Sequence, residues 1–248
     1  MKVAFIEQTG QPPPDWNQID WGKVERTVRR LQERIYRATQ RQEWRTVRSL
    51  QKLLARTTAN KLLAIRRVTQ QNQGKRTPGV DGKVYLTSEA RSTLAREPFS
   101  FTGYRPQPVR RVYIPKNDGK KLRPLGIPAM RDRVYQAIVK AALEPEWEAR
   151  FEANSYGFRP GRCCMDAIVQ IHNTLSRRGG SEWIFDADIS GCFDHISHEA
   201  LLARIPVFKT TVRRWLKAGV VELGHLQETM EGVPQGGVTT PPTMLQKE

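Results

Sequence analysis

The stretch WIFDADISGCFDHIS, residues 183–197, holds the residue types best suited to chemistry. In an extended strand successive side chains alternate. Trp183, Phe185, Ala187 and Ile189 would then share one face, and Ile184, Asp186 and Asp188 the other. Two carboxylates two residues apart on one face can approach a divalent cation, and hard oxygen ligands of this kind suit Mg2+. In two-metal sites such ligands help clamp the attacking and leaving oxygens of an in-line displacement. A water-facing strand edge carries acids just as often, so the pair needs its context.

That context is basic. Across 248 residues Lys and Arg number 41 against 25 acids, a formal net charge of +16. Arginine predominates, and its planar guanidinium suits bidentate contact with phosphate. Nucleic acid is therefore the expected partner. Hydrophobic content of 38%, with six Trp and eight Phe, is enough to bury a core. Cys163, Cys164 and Cys192 form no Cys-x-x-Cys pair, and the four His add no zinc-like spacing. Unpaired thiols fit a reducing cytosol. The N-terminal residues do not read as a signal peptide, and no apolar stretch approaches the ~20 residues of a membrane span. A soluble, cytoplasmic protein without a membrane partner is expected.

The elements that must position these groups follow from periodicity. Residues 21–67 read as two helices, with Val24, Val28, Leu31 and Ile35, then Trp44, Val47, Leu50 and Leu54, at helical spacing. Between them lie fourteen Lys or Arg and three Glu, a surplus of eleven charges that pairing within a helix cannot neutralise. The run TQQNQGKRTPGVDGK, 69–83, reads as a loop and a domain junction. RRVYIP and LRPLGIP read as strands joined by a turn at Asp118-Gly119. MRDRVYQAIVKAALEPEWEARF is predicted helical, SYGFRPGR a loop, MDAIVQIHNTL an amphipathic helix, HEALLARI a helix capped by Ser197, and KTTVRRWLKAGVV a last helix. The fold class expected is α+β.

Five segments in register then carry a resemblance: LLAIRRVTQQNQGKRTPGVDG, YIPKNDGKKLRPLGIPAMRDRVYQAI, LEPEWEARFEANSYGFRPGR, DADISGCFDHISH and GVPQGG. Over about residues 16–241 the chain resembles the N-terminal part of a bacterial group II intron-encoded reverse transcriptase with maturase function. The resemblance implies a right-hand polymerase architecture. Its parts would be a basic helical RNA-binding region at 1–72, fingers at 73–180 and a partial palm at 181–248. Asp188 resembles the first catalytic, metal-binding aspartate, with Asp186 beside it and not itself essential. Phe193 resembles the aromatic gate beneath the nucleotide sugar. Lys116 and Arg123 resemble the cation pair that grips the incoming triphosphate, where two charges on one side of a hairpin offset developing negative charge. Gln235 resembles a nucleotide-binding residue, and Pro234 and Gly236 resemble the loop along the template. Tyr156, Arg159 and Arg162 are expected at the template, as is Phe158, although the aromatics could equally fill the core. Arg29, Arg30, Arg37, Arg66 and Arg67 are expected on RNA backbone. Implied partners are group II intron RNA, an RNA template with a DNA primer, and deoxynucleoside triphosphates; the implied cofactor is Mg2+ in a two-metal site.

The sequence departs from the family after GVPQGG. The family's second aspartate pair, in a Tyr-x-Asp-Asp hairpin, does not occur within the 248 residues, whose last Asp is Asp194. The expectation is a catalytically incomplete piece of a reverse transcriptase. The alternatives are an intron-RNA-binding, splicing-assisting module and the product of a decayed reading frame. A palm strand without its neighbours would also leave an apolar edge unpaired.

Overall fold

The computed structural model describes residues 15–115, 122–177 and 183–233. Helix α1 spans Trp21–Gln40, α2 spans Trp44–Arg56 and α3 spans Thr58–Arg66, followed by a wide π-type turn, Arg67–Gln71. Where two helices were expected over 21–67, three form. Thr57 causes the extra break: its backbone is extended and its hydroxyl accepts from the Asn60 amide, so it ends α2 and caps α3. Helix α4, Ser88–Arg96, is capped by Thr87 and was not anticipated.

Strands β1, Val109–Pro115, and β2, Leu122–Ile127, pair antiparallel as predicted, with Ile114 opposite Arg123. Helix α5 spans Met130–Arg150, α6 Cys164–Leu175, α7 His198–Arg204 and α8 Lys209–Leu216. Ser197 caps α7 as expected, its hydroxyl accepting from the Ala200 amide. Val220 and Val221 leave the predicted last helix, because Gly219 turns the chain at a φ of +79° and sends them into β3, Val220–Glu222. Strand β4, His225–Gln227, follows. The sheet order is β2-β1-β3-β4, with β1 and β3 parallel and the other pairs antiparallel.

Helix α5 is the spine, buried against a core on each of two sides. Met130, Val134, Ala137, Ile138 and Ala142 face a core shared with α1, α2, α3 and α4. Tyr135, Val139, Leu143 and Trp147, four residues apart, face a second core with Tyr104, α7 and α8. Pro145 lies inside α5 and cannot donate to the Ala141 carbonyl; the Gln32 side chain of α1 does so instead, at 3.0 Å. Gln51 of α2 donates to buried Glu146 at 2.7 Å, and Asn60 of α3 donates to the Ile138 carbonyl at 3.2 Å. The basic N-terminal helices are thus bolted to α5.

Residues 183–189 do not form the expected strand. They join no sheet among the described residues, and Trp183 and Phe185 stand 87% and 92% exposed. The alternation is present, but a strand needs a ladder partner and an apolar surface beneath it, and the described residues supply neither here. Helix α6 forms as predicted, yet Met165, Ile168, Val169 and Ile171 on it are exposed.

Candidate nucleic-acid and nucleotide site

Asp186 and Asp188 are both exposed, and an Asp188 carboxylate oxygen accepts from the Ile189 amide at 2.9 Å. The chain then turns sharply: Gly191 sits at a φ of +59°, and its carbonyl accepts from the Asp194 amide at 2.8 Å. This turn is met by the segment that leads to Pro234. The Val233 amide donates to the Phe193 carbonyl at 2.7 Å and the Gly232 amide to Ile196 at 3.0 Å. A Cβ on Gly232 would lie 2.7 Å from the Asp194 carbonyl oxygen, so only glycine permits that approach. Phe193 is half-buried and belongs to neither core. The aspartate turn and the approach to the Pro-Gln-Gly loop are therefore neighbours. Pro234, Gln235, Gly236 and Lys116 lie outside the described residues.

Arg123 is exposed on β2. By the ladder register its side of the hairpin also carries Ile114, Val112 and Arg110. Arg110 reaches back to the Pro78 carbonyl at 2.9 Å, tying the hairpin to the 72–82 loop. Arg133 of α5 clamps the same loop, donating to Gly74 at 3.0 Å and to Thr77 at 2.6 Å. Gly79 packs so closely that a Cβ there would fall 2.5 Å from the Ala129 Cα. The 72–82 loop is thus pinned to the start of α5.

A buried network missed by sequence reasoning holds the hairpin to α8. The Tyr104 hydroxyl donates to Asp132 at 2.5 Å and accepts from the Trp215 indole at 3.0 Å. The other Asp132 oxygen accepts from the Gln107 amide at 2.9 Å, and Arg214 donates to the Tyr104 carbonyl at 2.6 Å. Burial, foremost, pushes the Asp132 carboxyl above the usual aspartate range, and pushes the Tyr104 phenol up as well. An acid three residues into a helix looks like ordinary N-terminal charge, so no local signal marked it.

In the 151–163 loop Arg159 is 7% exposed and fully engaged: it grips both Glu148 oxygens, at 3.1 and 2.6 Å, and the Glu152 and Ser155 carbonyls. In this conformation it holds the loop together. Arg162 instead lies exposed, its guanidinium 5.5 Å from the ring centre of half-buried Tyr156. Phe158 stands exposed at a φ of +58°, a backbone region costly for an aromatic residue. On the N-terminal helices Arg29, Arg30, Arg37 and Arg67 are exposed. Arg66 is half-buried, paired with Glu25 at 2.9 Å and stacked 4.5 Å over Trp21.

Among the described residues no three carboxylate, imidazole or thiol side chains come together to hold a metal. No helix among them is long and apolar enough to cross a membrane.

Comparison with known proteins agrees with the fold. Residues 16–97 match the N-terminal domain of reverse transcriptase, and residues 114–246 match the reverse transcriptase (RNA-dependent DNA polymerase) family, whose polymerases typically use divalent metal ions. Protein YkfC of Escherichia coli is 40% identical over 77% of this chain and 54% of its own length. The group II intron-encoded protein LtrA of Lactococcus lactis is 42% identical over 56% of this chain and 24% of its own. Maturase-like protein 1 of Euglena gracilis is 33% identical over 83% of this chain and 44% of its own. The chain thus spans between about a quarter and about half of the length of these relatives. The chain belongs to the reverse transcriptase family, among the group II intron-encoded reverse transcriptases and maturases.

Proposed function

We propose that these residues form the fingers and first palm segment of an intron-encoded reverse transcriptase/maturase, and that they dock on structured intron RNA through α1 and α2. The observation that carries this reading is the split of α1 and α2 into two faces. Val28, Leu31, Ile35, Val47, Leu50 and Leu54 are buried, while Arg29, Arg30, Arg37, Arg45, Arg48 and Arg56 are exposed. Such a surface neutralises phosphates and releases their counterions, so affinity should fall steeply with salt. Arg66 and Arg67 extend the surface along the next turn, and Arg162 with Tyr156 offers a cation and a ring for the template. Arg123, with Lys116, grips the triphosphate in this reading, Phe193 and Gln235 face the nucleotide, and Pro234 and Gly236 follow the template. Asp188 contributes one ligand to bound Mg2+.

Filter binding of a structured intron RNA across a salt series tests the docking. Steep, log-linear loss of affinity supports it, and failure to bind any RNA at low salt would overturn it. A second reading, a splicing-assisting RNA-binding module without polymerase action, draws on where the charge lies: the basic face runs along α1 and α2, whereas among the described residues no three metal-ligating side chains come together. Primer extension on an RNA template with Mg2+ separates the two. A polypeptide of these 248 residues is expected to give no extension. Extension abolished by Asp188→Ala would favour the polymerase reading instead.

A further inference from the structure

We propose that the groove between α1 and the C-terminal half of α5 binds an unpaired nucleobase, guanine by preference, extruded from the RNA that the basic helices hold. The proposal rests on the RNA-docking reading above and names a nucleotide site within it. The groove is open to solvent along its length and has a volume of about 580 Å3. One wall is a stripe of α1, Glu33, Tyr36, Arg37 and Gln40, whose spacing of three, four and seven residues places them on a single helix face. Pro145 of α5 and Pro160 of the following loop supply the apolar side.

The hydrogen-bonding groups of the groove divide into those already engaged and those left open. Gln32 is committed to the Ala141 carbonyl, Glu144 pairs with Lys140 at 3.5 Å, and Glu148 is held by Arg159. The side chains of Glu33, Arg37 and Gln40 make no hydrogen bond or ion pair with other described residues. That set matches one flipped base. A carboxylate can accept from both the N1–H and the exocyclic amino group of guanine, a pairing no other base offers. The Gln40 amide can donate to O6, the Tyr36 ring and the prolines provide a stacking surface, and Arg37 can meet the flanking phosphate. Sequence-reading proteins commonly take splayed-out single-stranded bases of RNA in this way.

The test uses the 248-residue chain and oligouridylates carrying one central guanosine, inosine or adenosine, with a blunt RNA duplex as control. The guanosine oligomer should bind about tenfold tighter than the adenosine oligomer, with inosine, which lacks the amino group, between them. Glu33→Gln should erase that preference, because an amide accepts through one oxygen only and can pair with adenine as well as with guanine. Tyr36→Ala should weaken all three oligomers by about tenfold, Tyr36→Phe should restore them, and neither should alter duplex binding. Equal affinity for the three oligomers, or stripe variants matching the wild type while RNA still binds with a steep salt slope, would overturn this site and leave the docking reading intact. Loss of all RNA binding by the wild type would instead overturn the docking reading, and this site with it.

Discussion

Asp132 shows at the residue scale how a buried charge is made tolerable. Each carboxylate oxygen has one donor, and each donor, the Tyr104 hydroxyl and the Gln107 amide, comes from the segment that leads into β1. Replacing Asp132 by Ala leaves the buried Tyr104 hydroxyl without its acceptor and frees the Gln107 amide, at a cost of roughly 1–3 kcal/mol. A urea titration should register that loss, and a midpoint equal to the wild type would refute it. The carboxyl also carries a pH signature. Burial raises its folded value above the unfolded one, so the folded chain binds the proton more tightly. Its contribution is fully present below the unfolded value of about 3.9 and is lost as pH rises through the raised folded value. As pH rises above about 4 the wild type should therefore lose stability relative to Asp132→Asn, levelling off once the raised folded value is passed. Paired melts giving a constant difference would contradict this.

At the scale of elements, local chemistry was legible and long-range partnership was not. Helical spacing announced α1, α2, α5 and α6, Asp118-Gly119 announced the β1–β2 pairing, and Ser197 announced α7. The division of 21–67 into three helices turned on one threonine able to cap as well as to continue. Alternation over 183–189 announced a strand, but alternation is a property of the segment and a ladder is a property of two. The candidate site rests on motifs alone; the network of Tyr104, Asp132 and Trp215 left no motif, because its members come from three distant segments. The same holds for the 72–82 loop, whose glycines looked like simple turn residues. Gly79 is there because Ala129 is. Gly79→Ala should force backbone apart and cost about 2–3 kcal/mol, whereas Gly157→Ala, with nothing within 4 Å of the added Cβ, should be nearly neutral. Thermal unfolding of the two variants side by side decides it; equal melting temperatures would mean that the loop is free to shift.

For the whole molecule the deciding quantity is where its charge sits. Residues 21–67 carry a surplus of eleven positive charges within a total of sixteen. Buried ties from Gln32, Gln51 and Asn60 hold that segment on α5, the helix whose start also anchors the 72–82 loop and, through Asp132, the segment leading into the hairpin that bears Arg123. In the proposed reading an RNA bound on α1 and α2 would thereby be held rigidly relative to the hairpin that bears Arg123, so docking and template delivery would share one scaffold. The consequence is measurable as a slope. Arg29 and Arg30 are exposed and make no ion pair with described residues, so replacing both by Ala should change the unfolding free energy by less than about 1 kcal/mol. If each meets a phosphate, the double variant should bind intron RNA more weakly at every salt concentration, and the slope of log affinity against log salt should flatten by about two. Arg159→Ala makes the opposite pattern. Its guanidinium is spent on Glu148 and two carbonyls, so the variant should lose stability while keeping the wild-type slope. A flattened slope for Arg159→Ala, or an unchanged one for the Arg29 and Arg30 pair, would move the RNA contact from the N-terminal helices to the loop beside the palm.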